Sequence, residues 1–338
     1  MATSTQIHGG HLGQIYLPAG KSIHLTEGQY LLGALNYAGR GKQEPLPKEM
    51  PTAWLAMDAL GDNADREIWL INQPVYYGAM GEIRYALSND HLFGVAHYPA
   101  THIEQVTYQA YCDMIRLIRQ NGAGKLIRLW NYFPRINEPE DQLERYRRFC
   151  MGRHEALAEM GYALDEDLPA ATAVGSGEGD FWIIFLAGRG TSLQVENPLQ
   201  VSAFRYPRQY GPRSPSFSRA LRYSSFRGDQ LFISGTASIR GHETVHTDDI
   251  MGQCDVTLEN LRALLRQSGE DDLSQLGSRA SWKVYLRRPQ DYEAVKDRLR
   301  KAMGAASPLL FVEGDICRES LLLEIEGFVD LQLPFMKC

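Results

Sequence analysis

The sequence predicts an α+β protein in which one unit occurs twice. Each copy is a mixed β-sheet with helices packed on one face, the second face free to pack against the other copy. Three features imply this. After Glu67 the chain reads as short strands, then helix, strand, helix and strand, and after Ala220 the same order returns. The halves also match locally: His91-Leu-Phe-Gly-Val-Ala-His97 parallels Gln230-Leu-Phe-Ile-Ser-Gly-Thr236 at the same place in that order. Finally, 338 residues with 44% hydrophobic and 22% charged residues suit a globular chain of about two domains.

Residues 1–65 are rich in Gly and Pro and weakly periodic, so an irregular segment is expected, with Gly39-Arg-Gly-Lys-Gln-Glu-Pro-Leu-Pro47 as a loop. Residues 66–165 form the first unit. Ile68–Ile71, Glu82–Leu87 and His91–His97 read as strands joined by tight turns. Ile103–Gln120 has apolar residues near every third or fourth place, a helical period, and Gly122-Ala-Gly124 ends it. Leu126–Phe133 is a strand. Pro139–Met160 reads as a second helix, with proline at its first position and Glu140 and Asp141 in its first turn. Residues 166–219 connect the units. They contain Gly175-Ser-Gly-Glu-Gly179, a strand over Phe181–Leu186 and an Arg/Tyr-rich run. Residues 220–338 form the second unit. Ala220–Tyr223 and Gln230–Ser238 make a hairpin, and Ile250–Gln267 is a helix with Leu258, Leu261, Leu264 and Leu265 on one stripe. Trp282–Leu286 is a strand, Pro289–Met303 a helix, and Leu309–Val312 and Leu321–Val329 close the sheet.

Lys+Arg number 35 and Asp+Glu 41, a formal net charge of −6, which argues against a nucleic-acid binder. No apolar run approaches the ~20 residues that span a bilayer. The opening Met-Ala-Thr-Ser-Thr-Gln lacks the basic-then-apolar pattern of a signal peptide. Cys112, Cys150, Cys254, Cys317 and Cys338 are odd in number and contain no CxxC, so neither a disulfide framework nor a zinc ribbon is expected. These features place the chain in the cytoplasm, away from membranes.

His242-Glu-Thr-Val-His246 matches the zinc-protease pattern, which works only when a helix sets both histidines on one face. Here the segment follows Gly241 and precedes the helix cap in Thr247-Asp-Asp249, so it reads as a loop, with no metal expected. Gly175-Ser-Gly-Glu-Gly179 has its third glycine one place early and precedes a strand, so it is no dinucleotide cradle. Trp130, Tyr132 and Phe133 read as core. The arginines point to chemistry. Tyr146 and Arg153 are seven apart, nearly two helical turns or about 10 Å, on one face beside Arg145, Arg147 and Arg148. Arg205, Tyr206, Arg208, Tyr210, Arg213, Arg219, Arg222 and Tyr223 follow within nineteen residues. Guanidinium forks and phenol donors at this density fit an anion pocket; a basic helix face and an interdomain surface paired with the excess acids are the alternatives. In the closing strand, Leu321, Leu323, Ile325 and Val329 share the core face, and Glu324 and Glu326 share the other. Mutual repulsion and partial burial would raise one of these pKa values, as a general acid requires.

Gln230-Leu-Phe-Ile-Ser-Gly-Thr-Ala-Ser238, Cys254-Asp-Val-Thr-Leu-Glu-Asn-Leu261 and Leu321-Leu-Leu-Glu-Ile-Glu326 together resemble the RidA/YjgF-like superfamily over about residues 225–330. Both units are therefore expected to be RidA/YjgF-like. The superfamily's imine deaminases carry a carboxylate-binding arginine where this chain has Leu309, which argues against that chemistry. Arg145-Tyr-Arg-Arg-Phe-Cys-Met-Gly-Arg-His-Glu-Ala156 and Tyr210-Gly-Pro-Arg-Ser-Pro-Ser-Phe-Ser-Arg219 are similar to the two signature stretches of the chorismatase family. That resemblance implies an enzyme needing no cofactor, with chorismate held by Tyr146, Arg153, Tyr206 and Arg219, and with Arg213 of the second stretch also assigned to binding. It implies Glu324 as proton donor to the enolpyruvyl methylene. Cys317, seven residues before Glu324, resembles the subgroup that forms 3-hydroxybenzoate, some members adding 4-hydroxybenzoate. The alternatives are hydrolysis to a dihydroxycyclohexadienoate plus pyruvate, or a ligand-binding protein without turnover. A duplicated unit that satisfies its own interfaces is expected to be a monomer.

Overall fold

Three β-sheets frame the computed structural model, which describes residues 12–18, 20–38, 45–61, 64–270 and 272–331. The first sheet holds β1 (Leu12–Leu17), β2 (Tyr30–Ala38), β3 (Thr52–Asp58) and β4 (Arg66–Ile71), in the order β1-β4-β2-β3. The second begins with β5 (Tyr76–Met80), β6 (Ile83–Leu87) and β7 (His91–Tyr98). Helix α1 (Ile103–Gln120) leads to β8 (Lys125–Pro134). A small hairpin, β9 (Pro139–Glu140) and β10 (Leu143–Glu144), precedes α2 (Arg145–Glu159), β11 (Ala170–Ser176) and β12 (Phe181–Gly188). The order is β11-β8-β12-β7-β6-β5. The third sheet holds β13 (Thr191–Val195), β14 (Ala220–Ser225) and β15 (Gly228–Thr236). After a short hairpin of β16 (Ile239–Arg240) and β17 (Glu243–Thr244) come α3 (Ile250–Gln267), α4 (Leu273–Leu276), β18 (Ala280–Leu286), α5 (Tyr292–Met303), β19 (Leu309–Glu313) and β20 (Leu323–Leu331). Its order is β13-β14-β15-β20-β18-β19.

The expected α+β class and its two helix-backed units are present. Residues 1–65, expected to be irregular, instead supply three of the first sheet's strands. The strand expected to open the first unit, Ile68–Ile71, belongs to this sheet too, pairing with β1 and β2. Two reasons hid it. Its pairings join strands far apart in the chain, and β2 is buried along most of its length, so it shows no alternation. β3 does alternate buried and exposed residues. β11 and β12, from the expected connecting segment, are integral to the second sheet.

All three sheets share one wiring. The first of four strands pairs antiparallel with the fourth, the fourth antiparallel with the second, and the second parallel with the third. This holds for β1, β2, β3 and β4, for β7, β8, β11 and β12, and for β15, β18, β19 and β20. In the second and third sheets helices link these strands; in the first, no helix occurs among the described residues.

α1 and α3 fall on the expected residues. Asp249 caps α3, accepting from Met251 N and Gly252 N at 3.1 and 3.0 Å. α2 begins at Arg145 rather than Pro139, because Asp141 and Gln142 take positive φ (47° and 68°) and turn the β9–β10 hairpin. The zinc-protease-like segment spans β17 and the turn at His246 (φ 58°), off any helix, and His242 Nδ1 pairs with Tyr210 OH at 3.0 Å. The opening hexapeptide, residues 39–44 of the expected loop and Cys338 lie outside the described residues. No helix among the described residues is long and apolar enough to cross a membrane.

Helices cover the outer faces of the second and third sheets, while the inner faces of all three meet around Trp69, Trp130, Phe232 and Phe328. Trp69 lies 5.5 Å from Trp130 and 5.4 Å from Phe328, ring centre to ring centre. Leu323, Ile325 and Val329 pack on the helix side of β20, but Leu321 precedes the strand and joins the central core. Matched by register, the sheets place Tyr37, Tyr132 and Tyr285 at one position of the second strand. Opposite them stand Trp182 and Glu324 on the fourth strand and, in the first sheet, Asp65 just before β4. Two residues along, the pairs are Leu35–Glu67, Trp130–Ile184 and Lys283–Glu326.

Candidate active site

Where the second and third sheets meet, β11 seals against β15. Ala171 N donates to Ser234 Oγ at 2.8 Å and Gly235 N to Thr172 Oγ1 at 3.1 Å. Above this seam lies a cavity of about 770 Å³. α2 contributes Tyr146 and Arg153, the loop before β20 contributes Cys317 and Arg318, and β20 contributes Glu324. Residues 197–219 run past it as a strap that lines it with Tyr206, Tyr210 and Arg219. This strap is fixed at its start, where Asn197 Nδ2 donates to Asn260 O at 3.2 Å and Val201 N to Gly241 O at 2.8 Å.

Arg153 is 1% and Arg219 4% exposed, yet neither has an ion pair among the described residues. The Arg153 guanidinium rests 4.8 Å from the Phe149 ring centre and its Nε has no hydrogen-bond partner. Arg219 donates through Nη2 to Tyr206 OH at 2.7 Å and Val201 O at 2.9 Å, and its Nε is likewise unpartnered. A buried cation without an anion is costly. Two of them in one cavity can hold an anionic ligand.

Glu324 and Glu326 are buried, and their environments separate them. Glu326 accepts from Trp130 Nε1 at 2.7 Å, Arg128 Nη2 at 2.8 Å and Tyr285 OH at 3.2 Å, and pairs with Lys283 Nζ at 2.9 Å. Burial alone would push it up; Lys283 and Arg128 overcome this and hold it at about 2. Glu324 has no hydrogen-bond partner among the described residues. Burial, then the Glu326 charge, push it up to about 8, against the opposing pull of Arg128 and Arg219. One acid stays ionised and the other keeps its proton at neutral pH, the division of labour an acid catalyst needs. The Cys317 thiol, pushed up to about 12 by burial and then Glu324, is neutral. Tyr146 is also held neutral, well above the usual phenol value, by burial first.

The family model described as chorismatase FkbO/Hyg5-like, N-terminal, matches residues 67–187. A 3-hydroxybenzoate synthase of Streptomyces hygroscopicus is 35% identical over 314 residues, 89% of this chain and 92% of the relative. The chain belongs to the chorismatase family. A chorismatase of Streptomyces rapamycinicus is 36% identical over 88% of this chain and 92% of its own length. A crystal structure of a chorismatase has a TM-score of 0.83 at 33% identity, covering 94% of this chain and 98% of that one.

Of the residues singled out in the sequence of this family member, Tyr146, Arg153, Tyr206, Arg219, Cys317 and Glu324 come together around the cavity. Arg213 does not. The turn at Gly211-Pro212 carries it to the surface, where it adds to burial in pushing His154 down. Arg145, Arg147 and Arg148 are not a free basic face: they pair with Glu140, Glu144 and Glu104. Arg222 pairs with Asp229, and Tyr223 is core. Sequence reasoning missed Arg318, whose guanidinium stacks 4.0 Å from the Tyr210 ring centre, and the Arg128–Lys283 pair beneath the acids.

Gly235 is a further member. The pairing of β15 with β20 shifts between Ile233 and Thr236, and a Cβ at Gly235 would stand 1.9 Å from Glu324 Oε1. Gly235→Ala is expected to fold but to displace the Glu324 carboxyl, lowering turnover about 10²-fold. Steady-state kinetics and a thermal melt, taken together, check this: wild-type turnover in a folded variant would show that the carboxyl tolerates the move.

Proposed function

We propose that the protein converts chorismate to 3-hydroxybenzoate and pyruvate, the activity named for its Streptomyces relative. One observation carries the reading: a proton-bearing Glu324 opens on a cavity that holds two buried guanidinium groups without acid partners. Chorismate is a dicarboxylate bearing a vinyl ether, and both features have a counterpart here. Arg153 and Arg219 bind the carboxylates, with Tyr146 and Tyr206 as phenol donors. Glu324 protonates the enolpyruvyl methylene, leaving an oxocarbenium-like carbon. The ring hydroxyl oxygen then attacks the neighbouring ring carbon as that carbon's bond to the pyruvyl oxygen breaks, and pyruvate leaves with the added proton in its methyl group; the hydroxyl's original C–O bond opens, and the carbon that now carries the oxygen loses its ring proton, which restores both aromaticity and Glu324. No water, metal or nucleotide enters this balance. The three sheets cover one another's inner faces within one chain, which supports a monomer. The free thiols of Cys112, Cys150, Cys254 and Cys317 support a cytoplasmic setting.

Incubating the purified protein with chorismate, with pyruvate measured enzymatically and the ring product by chromatography, tests the reading. Pyruvate and 3-hydroxybenzoate in equal amounts are expected, and absence of pyruvate would overturn it. Product choice is assigned to Cys317. Its bulk excludes water from the oxocarbenium carbon, so the ring hydroxyl, already held beside the ring carbon that bears the pyruvyl oxygen, reacts first. Cys317→Ala opens a gap of about one sulfur atom. Pyruvate release is expected to continue while the product shifts toward the dihydroxycyclohexadienoate. An unchanged product ratio would reduce the cysteine to packing.

A further inference from the structure

Beneath the cavity lies a row of buried charge that the reaction itself does not touch. Lys283 on β18 is fully buried, with Nζ 2.9 Å from Glu326 Oε1 on one side and 2.6 Å from Glu67 Oε2 on the other. Glu67 comes from β4 of the first sheet, which contributes nothing to the cavity lining. It is firmly held there, by Gln14 Nε2 at 2.6 Å, Trp69 Nε1 at 2.8 Å and Tyr37 OH at 3.4 Å. Around Lys283 stand the rings of Tyr37, Trp130, Tyr132 and Tyr285, at 5.7–6.0 Å. The row therefore crosses the point where the three sheets meet and ends at the carboxylate next to Glu324.

We propose that Glu67, acting through Lys283, is a positioning residue for the proton donor: it balances the lysine's charge, so that the negative charge of Glu326 is not offset at Glu324. This rests on Glu324 being the donor. The charge count explains the need for it. Glu326 has two cationic partners, Lys283 and Arg128. With these alone the ground beneath Glu324 would carry a net positive charge and favour its ionised form. Glu67 is the fourth charge and makes the group neutral. The ionisable groups acting on Glu324 are Glu326 on its own strand, Arg128 on β8 and Arg219 before β14; Cys317 and Tyr146 face it from the loop and α2. Those around Lys283 are Glu326, Glu67, Tyr132 and Tyr285, with Tyr37 and Tyr16 from the first sheet. All the phenols are neutral, held above their usual value chiefly by burial. The Lys283 ammonium is favoured well above its usual range, because Glu326 and Glu67 outweigh its burial.

The pH profile of kcat/KM for pyruvate release tests this in the full-length protein. Activity falls at high pH as the donor loses its proton. Glu67→Gln leaves Lys283 unbalanced, and the alkaline limb is expected to move about one pH unit toward acid, with activity near pH 6 retained. Glu67→Asp, which keeps the charge, is expected to leave the limb in place. Glu67→Gln combined with Lys283→Met removes both charges and is expected to return the limb to within about 0.3 units of wild type. A purely structural role would lower activity at every pH without moving the limb. The double variant also carries the test alone should Glu67→Gln not fold. If Lys283 acts on Glu326 unbalanced, losing it moves the limb toward alkali by about a unit, and the proposal fails. It fails equally if Glu67→Gln leaves the limb in place. Glu324→Gln belongs in the same series: near-normal turnover there would remove the donor reading itself, whatever the Glu67 variants do.

Discussion

Glu324→Gln is expected to lose at least ~10²- to 10⁴-fold in pyruvate release, the usual contribution of a general acid. The substitution keeps shape and hydrogen-bonding reach and removes only the transferable proton. In the proposed reaction protonation of the vinyl ether comes first, so no later step compensates. Burial and the Glu326 anion hold Glu324 near 8, whereas Glu326, with Lys283 and Arg128, sits near 2 and cannot substitute. The sign follows directly: a donor with a raised pKa is protonated below it, so wild-type activity is full at neutral pH and falls as pH rises through about 8. Pyruvate release and its pH dependence check both statements. Release within about threefold of wild type, small against that contribution, would move the role to another group.

Arg153→Met should weaken chorismate binding about ten- to a hundredfold, from loss of a charge-assisted contact worth roughly 1.5–3 kcal/mol. The same substitution should leave the melting temperature unchanged or raised. In the free protein the guanidinium is buried without an anion, resting on Phe149 and Phe217, and a methionine of similar reach satisfies that apolar wall at no desolvation cost. Opposite signs for binding and stability are what separate a ligand-binding arginine from a structural one. Titration with chorismate at 4 °C and calorimetry give the two readings. Unchanged affinity with a lowered melting temperature would make Arg153 a packing residue.

Much of this was legible where the physics is local. α1 and α3 run on strong apolar periodicity, and α3 has a side-chain cap. Arg153 and Tyr146 could be paired because helix geometry fixes what lies seven residues away. Glu324 and Glu326 could be placed on one face because a strand alternates. The start of α2 was hidden, since two left-handed residues at Asp141-Gln142 override the appeal of an acidic first turn. The first sheet was hidden because its partners are distant in sequence. Arg213 could not be told from Arg219 by composition, as only the turn at Gly211 separates buried from exposed. Lys283 did leave a trace: a lysine within Trp282-Lys-Val-Tyr-Leu286, on a strand buried throughout, has to find a buried acid. Which acid is a tertiary fact, settled by where β4 and β20 meet.

The shared wiring of the three sheets bears on symmetry. Three identical chains around a threefold axis must repeat every residue three times, so a lysine at the centre would meet two more of its kind, and each acid would recur at every junction. A single chain is free of that rule. Leu35, Trp130 and Lys283 stand at matching places, as do Asp65, Trp182 and Glu324, and the three sheets differ at each. The third sheet brings Lys283, the second the Trp130 wall and Arg128, and the first the Glu67 anion that balances the charge. A charge-neutral centre with a single cation on each side of Glu326 is open only to a molecule whose thirds are free to differ.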